Sequence, residues 1–314
     1  MVTLLDSTDS AVSEGITNSQ GIVNLSVPRQ GMWRLVAERI GYYTVKSVPF
    51  HMSVETSREI ALTAPVDPIE IESLTVEIDA DCRPDLSPTR PAGVLWEEAR
   101  KTLERVRWTH RNNEHEFQLR LYTRLLGVDL KFKREEVENI TVSGFSPFAT
   151  IPPELLNLSG FIHTEEQDTI YFGPDAELLL SDAFAQTHCF YSLADTTGQR
   201  VGLAFEPIAS QTSDIAGVLW LDAESAALRE IIFHYTGPIA ETVDLRHEGK
   251  VSLQRIQGGG WIVSKWWIRL PLFSRPLVLK GSLPYIHGRR QLINSGYIER
   301  GGEVREIRRI ERTH

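Results

Sequence analysis

The first 77 residues constrain the fold more than any other stretch. From Val2 to Phe50 the chain breaks into short alternating segments, separated by Gly, Asn, Ser, Asp and Pro at about every ten residues. That spacing suits antiparallel strands packed as a small sandwich. It leaves no room for the helices that an α/β catalytic core interleaves with its strands. Strands are predicted at the start of the chain, up to Val27-Pro28, from Gly31 onward, and at residues 57–64, where Ile60 and Leu62 share a face.

The remaining chain is long enough for a second unit, since 314 residues suit two domains of roughly 100–200 residues each. Residues 78–92, rich in Asp and Pro, read as a linker between a first domain at 1–77 and a second at 93–314. A helix is predicted over 94–108. Leu95, Ala99, Leu103 and Val106 recur at helical spacing, with Glu97, Glu98, Arg100, Lys101, Glu104 and Arg105 on other faces. Beyond it the pattern is mainly β, with strands predicted at 117–124, 126–134, 138–144, 168–173 and 200–206. A strand–turn–strand unit follows at 217–235, then strands at 249–256 and 258–271, and final segments at 276–282, 290–298 and 303–311. One short helix is predicted at 174–185, with Pro174 near its start.

Composition narrows the function classes. A hydrophobic fraction of 41% supports a core without staples, and a net charge of −9 argues against a general nucleic-acid binder. The tail from Glu299 to Arg312 interleaves five arginines with four glutamates and predicts a solvated face. No run approaches the ~20 apolar residues of a membrane helix. The two cysteines, Cys82 and Cys189, lie outside any CxxC motif. They are candidates for one disulfide, the alternative being two unrelated buried thiols.

The order of the first segments carries a resemblance. A strand, the Thr17-Asn-Ser-Gln-Gly21 turn, a strand ending at Val27-Pro28, a strand led by Gly31, and Arg39-Ile-Gly-Tyr42 resemble the carboxypeptidase regulatory-like domain. That domain is a transthyretin-like β-sandwich common in bacterial exported proteins. The resemblance implies an opening strand and an export signal upstream of Met1, and a periplasmic or outer-membrane-associated home. An oxidising compartment would also favour the Cys82–Cys189 disulfide. The exit at Leu74-Thr-Val resembles the stretch that follows the same module in TonB-dependent receptors. Residues 200–275, with their glycine, strand, aspartate-turn and tryptophan-strand rhythm, resemble the sheets of periplasmic lipoprotein-carrier proteins, which are curved, incomplete barrels holding lipid on the concave face. The expected fold is therefore mainly β: the sandwich, then a helix and a curved antiparallel sheet or half-barrel (α+β).

No stretch of sequence spells out a reaction. His163-Thr-Glu-Glu166 has the His-x-x-Glu spacing of a zinc pair but sits in a polar turn. His110-Arg-Asn-Asn-Glu-His115 lacks the spacing that puts two imidazoles on one helix face. Gly258-Gly-Gly260 precedes a strand and reads as a hairpin turn. Trp261, Trp266 and Trp267 are candidate binding aromatics, with Trp266 and Trp267 on opposite faces of their strand. The expectation is a non-enzymatic, exported or outer-membrane-associated binding or structural protein with no cofactor and no metal. Its expected partner is a glycan, a lipid or an outer-membrane protein. The alternatives are a hydrolase using His163, His188 and His234 or the carboxylates Glu206, Asp214, Asp222 and Glu224, and a peripheral partner of a TonB-type outer-membrane complex.

Overall fold

The protein is described from a computed structural model, which defines residues 1–67, 86–87, 90–112, 114–165, 168–208, 212–237, 248–274 and 293–310. It is mainly β, as its alternating sequence requires, and its described residues form two sheets of five and nine strands plus a short hairpin.

The small sheet comprises β1 (Val2–Leu5), β2 (Ala11–Gly15), β3 (Gly31–Ala37), β4 (Val45–Lys46) and β5 (Phe50–Met52). β1 lies between β2 and β3, while β4 and β5 both pair with β3. Leu4, Trp33 and Phe50 form its core, and Leu25, Val27 and Ile60 pack against them, giving the module a sandwich-like character. Residues 22–27 and 57–64, predicted as strands, make no ladder. Leu25, Val27 and Ile60 reach the core although their segments join no sheet.

Helix α1 (Pro91–Arg111) is longer than predicted at both ends. The linker predicted at 78–92 therefore stops short of Pro91, and its residues 78–85 and 88–89 lie outside the described residues. The second sheet holds β6 (His115–Leu126), β7 (Phe132–Val142), β10 (His188–Ala194), β11 (Arg200–Pro207), β12 (Asp214–Asp222), β13 (Leu228–Thr236), β14 (Glu248–Arg255), β15 (Trp261–Ser274) and β16 (Ile293–Arg309). Its order is β10-β11-β12-β13-β14-β15-β16-β6-β7, antiparallel throughout, so the last strand slots between β15 and the first. Of the strand predicted at 126–134, Leu126 ends β6 and residues 132–134 open β7, while residues 127–131 turn the chain between them. Residues 293–298 and 303–309 of the segments predicted at 290–298 and 303–311 merge into β16, and 276–282, 290–292 and 311 lie outside the described residues.

The inner face of this sheet wraps α1. The predicted helix residues Leu95, Ala99, Leu103 and Val106 all join the main core, with Phe117, Leu203, Phe205, Ile215, Phe233 and Trp266 from the strands. The rest of that face is closed by α2 (Pro153–Ser159), the hairpin β8 (Ile162–Glu165) and β9 (Asp168–Tyr171), and the helices α3 (Ala176–Leu179) and α4 (Asp182–Thr187). The single helix predicted at 174–185 is broken because Ser181 caps a new start, its hydroxyl accepting from the Phe184 N–H at 3.1 Å.

The opposite side of α1 is buried too, against expectation. Glu98, Lys101 and Arg105, predicted to face away from the core, are 2–5% exposed. They meet the loop between β3 and β4. The Glu98 carboxylate accepts the Gly41 N–H at 2.6 Å, Lys101 donates to Glu98 at 2.5 Å and to the Tyr42 carbonyl at 2.8 Å, and Arg105 donates to the Glu38 carbonyl at 2.6 Å. Gly41 sits at φ +74°, and a Cβ there would come within 3.3 Å of the Ser225 carbonyl oxygen. The small sheet is thus clamped to α1 by a buried polar seam.

Candidate functional site

Because side chains alternate across a strand, every second residue of the large sheet points away from α1. On that outer face the register lines up one cross-strand row: His234, Glu248, Arg269, Glu299, Arg124 and Glu135, one residue from each of β13, β14, β15, β16, β6 and β7. The signs alternate from Glu248 onward. Arg269 bonds Glu248 and Glu299, each at 2.7 Å, while Arg124 bonds Glu299 at 3.2 Å and Glu135 at 2.7 Å. Glu299 is only 5% exposed and bridges two guanidinium groups, so the solvated face predicted for 299–312 does not hold at its first residue.

A second row, one step along, is largely apolar: Tyr191, Ala204, Val218, Ile232, Lys250, Trp267, Gly301, Tyr122 and Val137. The guanidinium of Arg124 lies 4.0 Å over the Tyr122 ring and that of Arg269 lies 4.7 Å over Trp267. Burial, reinforced by Glu299, pushes the Tyr122 hydroxyl up to about 12, so it stays a neutral phenol across the physiological range. The Arg124 hydrogen bond holds the Glu135 carboxyl below its ordinary value, so Glu135 stays charged.

Where the charged row reaches the β6–β7 turn it forms the floor of an open groove of ≈ 420 Å³. Arg124, Glu135, Arg269 and Glu299 face Leu126, Leu130 and Phe132. Phe132 is 64% exposed, and Leu130 holds φ at +62°, a conformation that disfavours a branched side chain. The strain presents an apolar group to the groove where a turn would ordinarily place glycine. Leu130→Gly is therefore expected to leave stability within about 1 kcal/mol of the parent in urea denaturation, because relief of strain offsets the lost side chain. A loss of ~2 kcal/mol or more would mean that Leu130 is held by packing instead.

The residues singled out from the sequence are dispersed. Trp261 and Trp266 are core residues at 4% and 6% exposure, and only Trp267 reaches the outer face. Cys189 is disulfide-bonded, whereas Cys82 lies outside the described residues. His188 is fully buried on the inner face, with Nε2 3.2 Å from the Ile215 carbonyl and 3.3 Å from Asp214, while His234 is exposed on the outer one. His163 lies edge-on to Phe172 at 5.4 Å, and Glu166 is outside the described residues. Asp214 and Asp222 stand at opposite ends of β12, about 26 Å apart at the rise of a strand. Asp222 caps its turn by accepting from Ser225, and Glu206 accepts from the Tyr191 hydroxyl at 2.5 Å. No group of three or more His, Cys, Asp or Glu among the described residues is placed to hold a metal.

Comparison with known proteins returns no match to a family model, a curated protein or a solved structure.

The groove residues were missed by sequence reasoning. Their signal was present as charges at strand spacing in 120–135 and 265–303. It became readable only once β16 was known to lie between β15 and β6.

Proposed function

We propose that this chain is a non-catalytic, exported binding protein acting at the outer membrane, and that the outer-face groove is its binding site. The observation that carries this reading is the meeting, in one open groove, of an apolar side (Leu126, Leu130, Phe132) with a floor of paired guanidinium and carboxylate groups. Such a lining suits a ligand that has both an apolar body and a polar head. The inner face, on the side where a lipid-carrier resemblance would put the ligand, is filled by α1 and the helices beside it. The small sheet then acts as a brace, holding α1 in that face through the Glu98–Lys101 seam. Export is supported by the carboxypeptidase regulatory-like resemblance of the first segments, and by the bonded state of Cys189, which suits an oxidising compartment. Unreduced protein should accordingly take up no thiol-reactive label after denaturation.

Calorimetric titration tests the site, using a lysophospholipid below its micelle concentration, an oligosaccharide and an unstructured peptide as separate probes. The lysophospholipid should bind, and Arg124→Gln and Arg269→Gln should each weaken it by about ten-fold, the usual worth of a charged hydrogen bond. Metal-dependent turnover of ester, glycoside or peptide substrates would overturn the non-catalytic reading, and binding that ignores both arginine substitutions would overturn the site.

A further inference from the structure

The hairpin tip shares Leu130 and Phe132 with the groove and adds Val128 and three cations, Lys131, Lys133 and Arg134, that the binding reading does not use. Val128, Leu130 and Phe132 alternate with Asp129, Lys131 and Lys133, and Arg134 follows. Val128 is 61% exposed and Phe132 64%, and the Lys131 side chain is 85% exposed. The turn at the tip is closed by its own hydrogen bonds. The Gly127 N–H donates to the Lys131 carbonyl at 2.8 Å, the Leu130 N–H to the Gly127 carbonyl at 3.0 Å, and the Lys131 N–H to the Asp129 carboxylate at 3.2 Å. Between Arg120 and Glu136 there are five cations (Arg120, Arg124, Lys131, Lys133, Arg134) and three anions (Asp129, Glu135, Glu136), a net +2 on a chain whose total is −9.

We propose that this tip docks on a phospholipid bilayer carrying anionic headgroups. Val128 and Phe132 enter the boundary between headgroups and acyl chains, while Lys131, Lys133 and Arg134 lie at the phosphates. An apolar tip backed by cations matches an interfacial anchor in both of its requirements, buried apolar area and attraction to anionic lipid. Lys133 has no ion-pair partner among the described residues. Among the described residues, Lys131 and Arg134 pair only with the exposed carboxylates Asp129 at 2.9 Å and Glu136 at 2.7 Å, contacts weak enough to be exchanged for a phosphate. Leu158, 77% exposed on α2, offers a contrast: that helix carries no cation. The docking deepens the outer-membrane reading above but is read separately from it, since the lysophospholipid titration needs no bilayer.

The test is co-flotation of the full chain with vesicles of phosphatidylethanolamine and phosphatidylglycerol, or of phosphatidylcholine alone. The chain should float with the anionic vesicles, less so as salt rises, and more weakly with phosphatidylcholine. Phe132→Asp and Val128→Asp should each lower binding by about ten-fold or more, and Leu158→Asp should leave it unchanged. Joint replacement Lys131→Gln and Lys133→Gln should weaken binding to the anionic vesicles alone. Both aspartate variants alter exposed positions, and an unchanged melting temperature confirms that they fold. Absence of vesicle binding, survival of binding in Phe132→Asp, or equal loss in Leu158→Asp would each overturn the proposal. So would a dimer in sedimentation that Phe132→Asp dissolves, because the tip would then meet a second copy.

Discussion

Glu98→Ala is expected to destabilise the protein by about 3–5 kcal/mol, the usual cost of leaving one member of a buried ion pair unpaired. Its partner Lys101 is 2% exposed, and without Glu98 its ammonium would keep, among the described residues, only the Tyr42 carbonyl at 2.8 Å. The Gly41 N–H would lose its acceptor at the same stroke. Burial raises the Glu98 pKa, with Lys101 and the Gly41 N–H opposing it, so the carboxylate is held by its partners rather than by solvent. Joint replacement Glu98→Leu and Lys101→Met removes both charges together. It should cost clearly less than the sum of the two single changes, the loss of the Gly41 and Tyr42 hydrogen bonds being what remains. Urea denaturation of the four proteins closes the cycle. Because the seam joins the small sheet to α1, Glu98→Ala should also expose the β3–β4 loop to protease before the rest of the fold opens. A single-variant cost below ~1 kcal/mol would show that the seam is wet and that the small sheet is tethered rather than clamped.

The seam shows where sequence reading stops. Helical spacing placed Leu95, Ala99, Leu103 and Val106 in the core correctly, because one apolar stripe meeting one sheet is a local pattern. It placed Glu98, Lys101 and Arg105 on other faces without a partner, because charge is ordinarily a surface signal and only a second packing partner reverses it. That partner, the Glu38–Tyr42 loop, is some 60 residues away in sequence. The mainly β fold was legible from alternation and turn chemistry, as was the opposite facing of Trp266 and Trp267. The groove was not, since it depends on β16 entering between β15 and β6, a pairing between residues about 175 positions apart such as Arg124 and Glu299. Leu130 was hidden for a different reason. A positive φ at a leucine contradicts its own propensity, so the sequence around it reads as a continuing strand over 126–134. Local rules break here at the groove and at the seam, the two places for which binding and bracing are proposed.

Acid should destabilise the protein through His110, and His110→Phe should remove most of that sensitivity. The imidazole stacks on Phe117 at 5.7 Å and meets Phe145 edge-on at 4.7 Å. Burial lowers its pKa to about 4, the Phe145 backbone opposing only in part. The folded state therefore favours the neutral ring, and below the ordinary histidine value the unfolded chain binds the extra proton. Stability from this residue is fully present above pH ~6.5, declines by at most about 1.4 kcal/mol per unit as pH falls, and is gone by pH ~4, a total of about 3 kcal/mol. His115 and His234, also lowered by burial, act in the same direction. Glu98, Glu104 and Asp175 act against it, because burial raises their values and their native forms take up protons early. The raw pH profile mixes all of these, but the difference between parent and His110→Phe isolates one group. The aromatic replacement keeps a ring between Phe117 and Phe145 and removes the titration. Urea denaturation from pH 7 to pH 4 should show the variant gaining on the parent by about 3 kcal/mol across that window. A constant gap would mean that His110 takes its proton as readily in the folded chain as in the unfolded one, and that the aromatic cluster around it admits water.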